Sequence, residues 1–107
     1  MMIGIKIIFT AGKISGFSVT GHSNTAPYGE DIVCAGVSAL TQSALMGLAQ
    51  QLGRKVDYSV HSGSLRVKLL FAPDELSEAI LRTMLLGLKA IAEQYEEAVR
   101  ITMIHEG

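Results

Sequence analysis

The chain has 107 residues, 49% of them hydrophobic and 18% charged, with a formal charge of −1. That is one domain of common size with ample material for a packed core, and it excludes a disordered chain. The basic residues are scattered, so no nucleic-acid partner is expected, and no apolar run of membrane-span length or secretory leader is read, so no membrane partner is expected.

Ile3, Ile5, Ile7 and Phe9 alternate with Gly4, Lys6, Ile8 and Thr10, a period of two that predicts a strand. After a turn at Ala11-Gly12-Lys13, a second strand runs from about Ile14 to Gly21, with Ser15, Phe17 and Val19 on one face and Gly16 as a candidate bulge. Ser23, Asn24, Thr25, Ala26, Pro27, Tyr28, Gly29 and Glu30 read as a loop, because Asn24, Pro27 and Gly29 break both regular periods. Asp31 then reads as the N-cap of a helix, its carboxylate accepting from the N–H groups of Val33 and Cys34. That helix is predicted to reach about Leu52 and to end on Gly53 as a left-handed cap. Val33, Val37, Leu40, Ala44, Leu48 and Leu52 form its buried stripe, and Cys34, Ser38, Thr41 and Gln42 fall on a more polar side. Ala35, Gly36 and Ala39 invite close packing of another element.

Val56, Tyr58 and Val60 alternate with Asp57, Ser59 and His61, and Leu65, Val67, Leu69 and Phe71 alternate with Arg66, Lys68 and Leu70. Ser62-Gly63 joins these two runs as a tight hairpin. Pro73-Asp74-Glu75 opens a second helix with a core stripe of Leu76, Ile80, Met84, Leu88 and Ile91, and with Glu75, Glu78, Arg82, Lys89 and Glu93 toward water. A last strand is predicted near Ala98 to Ile104. The order ββαββαβ predicts a single α+β domain over residues 1–107, a two-layer sandwich with a mixed or antiparallel sheet and both helices packed on one face. The other sheet face is mostly polar (Lys6, Ser18, Thr20, Asp57, Ser59, Arg66, Lys68), with room there for Ile8 and Leu70, and leaves space for a partner such as a second copy.

The chemistry concentrates between Gly21 and Ser38. Cys34 is the only cysteine, which excludes an internal disulfide and fits a reduced, cytoplasmic setting. A cysteine in the first turn of a helix would have the macrodipole and free N–H groups to favour its thiolate, and an imidazole such as His22 could take its proton. The plain alternatives are a buried small hydrophobe for Cys34, a loop polar group for His22, an N-cap for Asp31 and a bond from Ser38 back to its own helix. His61 and His105 are remote from Cys34 in sequence, so no metal site and no cofactor are expected.

Gly21-His22 after the second strand, Ala26, Gly29 and Asp31-Ile32-Val33-Cys34, then Ala35, Val37 and Ser38 on the helix, resemble the ribosomal-processing cysteine protease family Prp (YsxB-like). The resemblance covers essentially the whole chain. Two departures are Ser23 and Gly36, where the family often has alanine; Gly36 would loosen the first helical turn.

The resemblance implies a cysteine endopeptidase that removes a short N-terminal extension, cut beside a Phe-containing apolar motif, from large-subunit ribosomal protein twenty-seven. It implies Cys34 as nucleophile, His22 as general base, Asp31 and Ser38 as supporting residues and Ser23 to Glu30 as a substrate loop. It also implies a homodimer. Against this stands a non-catalytic ribosome-associated assembly factor in which Cys34 is a core residue. A redox-sensing thiol ranks last, because the chain has no resolving cysteine.

Overall fold

The computed structural model describes residues 2–21 and 28–107, the side chains of 28–31 excepted. Its elements are β1 (Ile3–Thr10), β2 (Lys13–Thr20), α1 (Tyr28–Met46), β3 (Val56–His61), β4 (Ser64–Leu69), α2 (Glu75–Gln94) and β5 (Val99–Glu106). They form the expected α+β arrangement in the expected order. One mixed sheet runs β3-β4-β2-β1-β5, antiparallel except for the parallel pair β1 and β5. Ile3, Ile5, Ile7 and Phe9 of β1, Phe17 and Val19 of β2 and Leu65, Val67 and Leu69 of β4 point into one core against both helices.

The helices pack antiparallel, and small residues set how close they come. A Cβ on Gly36 would lie 3.2 Å from Ile91, one on Gly87 2.8 Å from Leu40, and one on Gly47 3.2 Å from Ile80. Gly36 is therefore a contact point for α2. It also lies beyond the first turn of α1, which the sequence had it loosening. Leu40 rests against Gly87 and is half-buried.

The bulge at Gly16 is present, and it changes which residue faces the core. Ile8 pairs with Gly16 but Phe9 pairs with Ile14, so Ser15 is the extra residue on β2. The slip turns Ile14 inward, fully buried, and takes Ser15 out of the set with Phe17 and Val19. Ser15 instead exchanges a hydroxyl contact of 2.8 Å with Thr10. The N–H of Ile14 donates to Glu78 of α2 at 2.9 Å, and Arg82 holds the same carboxylate at 2.7 Å. Glu78 is thus half-buried rather than fully in water.

The first helix begins earlier than its sequence signals imply. It starts at Tyr28, so Tyr28, Gly29 and Glu30 belong to its first turn and not to a loop, and Asp31 is not its N-cap. Proline constrains the residue before it, Ala26, and places no such limit on the residues after it. The far end closes as a π-helical turn, Gly47–Gln51, with Leu52 N–H donating to Gly47 O at 2.9 Å. Gly53 caps it in the left-handed region, as expected. By length and composition, Ile32–Gln51 is apolar enough to cross a membrane, contrary to the sequence reading; the core helix of a soluble protein passes the same test.

In α2, Asp74 is the N-cap and forms a capping box with Ser77. That box draws Ser77 into full burial and leaves Leu76, assigned to the core stripe from its spacing, 57% exposed. β4 stops at Leu69, and Phe71 lies beyond it under the guanidinium of Arg54, 4.9 Å from the ring centre.

Candidate active site

Cys34 is the seventh residue of α1, counting from Tyr28, and not part of its first turn. Within the helix, the N–H groups without intrahelical partners belong to residues 28–30, a turn earlier. The macrodipole also fades beyond the first turn. Activation of the thiol by the helix end, as read from the sequence, is therefore weakened by this geometry. Cys34 is 7% exposed and sits in the core with Val33 and Val37, so the polar side assigned to it is in fact an inner side.

Its stripe continues along α1 through Ser38 and Thr41 at helical spacing. Thr41 is 1% exposed, and its hydroxyl donates to Val37 O at 2.8 Å, which satisfies it inside the core. From Ser38 onward this stripe walls a groove of about 200 Å³. Ser38, Thr41 and Gln42 form one side, and Val19, Val60 and Leu65 supply apolar lining from the sheet. Val60 is on the edge strand β3, overhangs the helix and remains 60% exposed. The groove thus has an apolar wall, a hydroxyl wall and an open edge, one helical turn from the thiol. Nothing in the sequence pointed to Val60 as part of the site; its alternation looked like ordinary core, and only its place at the sheet edge exposes it.

Gly21 fixes the chain entering the motif. Its φ is +91°, and a Cβ there would lie 2.3 Å from the carbonyl oxygen of Met2. Only glycine fits both constraints. Its N–H donates to Gly63 O at 3.1 Å, in the β3–β4 turn that borders the groove. The residue preceding His22 is therefore tied to the groove's rim. His22 itself, Ser23 to Pro27 and the side chain of Asp31 lie outside the described residues. Of the predicted site residues, the structure places Cys34 and Ser38 on one face of α1.

The other two histidines occupy different places. His105 on β5 stacks on Phe9, ring centres 4.8 Å apart. His61 follows Val60 on β3, pairs with Ser64 and lines the far end of the groove with the β3–β4 turn. No group of three or more His, Cys, Asp or Glu suited to a metal occurs among the described residues.

The family model described as "Cysteine protease Prp" matches residues 2–100. A Staphylococcus aureus protein named ribosomal processing cysteine protease Prp is 32% identical over 93 residues, covering 84% of this chain and 87% of that one. A Bacillus subtilis protein of the same name is 27% identical over 95 residues, covering 83% and 85%. Among solved structures, SMU.848 from Streptococcus mutans superposes with a TM-score of 0.90 at 27% identity, covering 99% of this chain and 100% of that one. The S. aureus Prp, solved in complex with a substrate peptide, superposes with a TM-score of 0.87 at 28% identity, covering 95% and 99%.

Proposed function

Because the chain belongs to the Prp family of cysteine proteases, a hydrolase family of ribosomal protein processing, we propose that Cys34 is its nucleophile, His22 its general base, and its substrate the N-terminal extension of large-subunit ribosomal protein twenty-seven. One observation carries the first assignment: a cysteine protease needs a thiol, and Cys34 is the only cysteine in the chain. The choice of His22 is supported by the position of the other two histidines. His105 is engaged with Phe9, and His61 lines the groove at the β3–β4 turn, alongside Ser38 and Thr41 and not beside Cys34 in the groove's lining. His22 follows Gly21, whose backbone is bonded to the groove's rim.

His22 takes the Sγ–H proton as Sγ attacks the scissile carbonyl. The tetrahedral adduct collapses to a thioester as the C–N bond breaks, and the imidazolium delivers its proton to the leaving amine. Water then adds with its proton passing to His22, and collapse frees the acid product and the thiol. Since Cys34 lies beyond the first helical turn, the imidazole carries most of the thiol's activation. Asp31 orients that imidazole, and Ser38 supports the substrate where the groove begins. The segment Ser23 to Glu30 contacts the peptide, although its last three residues are helical.

An extended apolar peptide suits the groove, because Val60 and Leu65 offer a wall for a large side chain and the edge is open. The S. aureus relatives were solved with a substrate peptide and with a covalently linked product peptide, which supports the same order of events here. The working form is a homodimer in the cytoplasm, which light scattering of the purified chain tests.

The decisive variants are Cys34→Ala, Cys34→Ser and His22→Ala against His61→Ala, each incubated with the extended ribosomal protein. The first three lose cleavage by several orders of magnitude while remaining folded, as for removal of a protease nucleophile or base, a loss on the order of 10⁶. His61→Ala cleaves at the wild-type rate. Loss of cleavage in His61→Ala with retention in His22→Ala would reverse the assignment of the base.

A further inference from the structure

The nine Lys and Arg residues look scattered along the chain, but the strand register gathers five of them on one surface. Cross-strand partners share a face of a sheet. One row across the sheet reads Ser59, Arg66, Ser18, Lys6 and Thr102. The neighbouring rows carry Arg100 beside Gly4, Lys68 beside Gly16, and Lys13 beside Thr10. All lie on the face away from the helices, which no other element of the described chain covers.

Of the eight acidic residues whose side chains are described, only two share that face: Asp57, beside Lys68, and Glu106, beside Thr10. Both sit at its margins. The face is therefore net positive on a chain whose total charge is −1, and the remainder of the molecule is acidic. Among the described residues, the ion pairs are Arg54 with Asp74 and Arg82 with Glu78; none of the five cations of the open face is in one. Lys6, Arg66, Lys68 and Arg100 are exposed. A hollow of about 840 Å³ opens between Lys13, Ser18, Arg66 and Lys68, with Ile8, Phe71 and Pro73 in its largely apolar lining and Glu106 at its margin.

We propose that this open sheet face is a docking surface for the phosphate backbone of RNA, so that the protease is held on ribosomal RNA while its opposite layer cuts a ribosomal protein. Identification of the RNA as ribosomal rests on the proteolytic function proposed above; the polyanion itself follows from the charge. A second copy of the chain is disfavoured here, since face-to-face pairing would bring two sets of unpaired cations together. An anionic bilayer would favour a convex or apolar-tipped surface, whereas this one is hollowed and rimmed with charge. Phe71 and Phe17 line the hollow but the strand rows of this face contain no Phe or Tyr, so contact is mainly to phosphate and only secondarily by stacking. Binding is then tolerant of sequence and steeply salt-dependent.

The test uses the full chain and a fluorescein-labelled single-stranded RNA of mixed sequence, titrated at several salt concentrations. The expected log–log slope is about −2 to about −4, as for three to five phosphate contacts on a single strand. Arg66→Ala reduces the steepness by about 1. The triple variant K6E/R66E/K68E lowers affinity at low salt by at least about tenfold, yet cleaves the free extended peptide at the wild-type rate, which shows that it is folded. No RNA binding by the wild type, unchanged binding by the triple variant, or binding to phosphatidylglycerol vesicles in place of RNA would each overturn the proposal. Failure of the wild type to cut the peptide bears on the proteolytic assignment alone, because RNA binding is read separately.

Discussion

At the scale of single residues, two positions tie structure to chemistry beyond Cys34 itself. Gly21 adopts a left-handed conformation over the carbonyl of Met2 and bonds to Gly63. Gly21→Ala forces both backbone strain and a clash, so it destabilises the fold by at least about 1–3 kcal/mol, measurable from the urea midpoint. Because His22 follows directly, the same variant lowers kcat under conditions where it is still folded. Val60 is the second position. It stands exposed at the groove's open edge, where an apolar substrate side chain would cover it. Val60→Asp should raise KM for the extended peptide about tenfold, the equivalent of losing about 1.5 kcal/mol of apolar burial. Thiol alkylation of Cys34 should be unaffected, and a changed alkylation rate would place Val60 in a structural role. The importance of Gly21 was legible as part of a motif, but its reason, the overlying Met2 carbonyl, is a tertiary contact that no local pattern reveals.

At the scale of elements, the two helices differ in how openly their ends are written. Asp74 and Ser77 form a complete capping box, and the sequence placed that helix start correctly. The Asp74 carboxyl is held below the ordinary carboxylate range, first by the N–H of Ser77 and then by Arg54. A group with a depressed folded pKa binds fewer protons folded than unfolded, so its stabilisation is present above the unfolded value. It is lost as pH falls through the folded value. Wild type should therefore exceed Asp74→Asn in urea resistance at neutral pH, with the difference shrinking only below about pH 4. For α1 the local signals pointed to Asp31, a good capping residue, while the helix begins at Tyr28. A Gly in the first turn and a preceding Pro disguise the true start, because both are more common in loops. Gly36→Ala tests the helix pair: alanine gains up to about 1 kcal/mol of helix propensity. The only obstacle is the tip of Ile91 at 3.2 Å, which can rotate. A small rise in thermal midpoint is the expected outcome.

At the scale of the whole molecule, the alternation of β1 and β4 and the stripe of α1 were enough to give the two-layer class and the element order. Strand neighbours were not legible, since the parallel pairing of β1 with β5 depends on the α2 crossover and not on either strand's composition. For the same reason the basic face was invisible: Lys6, Arg66 and Arg100 are far apart in sequence and become neighbours only through register. The layered plan divides the work. The helix layer and sheet edge form a groove beside the only thiol, and the open face is left for a partner. Cys34, 7% exposed, must become reachable for a peptide to be cut, so alkylation of the free protein should be slow and should change when a non-cleavable substrate peptide is added. The central claim is that this buried thiol is a protease nucleophile, and one measurement tests it most directly. The extended ribosomal protein is incubated with wild type and with Cys34→Ser, and the products are weighed by mass spectrometry. The wild type should release a single N-terminal fragment and Cys34→Ser none; equal cleavage by both, or by neither with folded protein, would contradict the account.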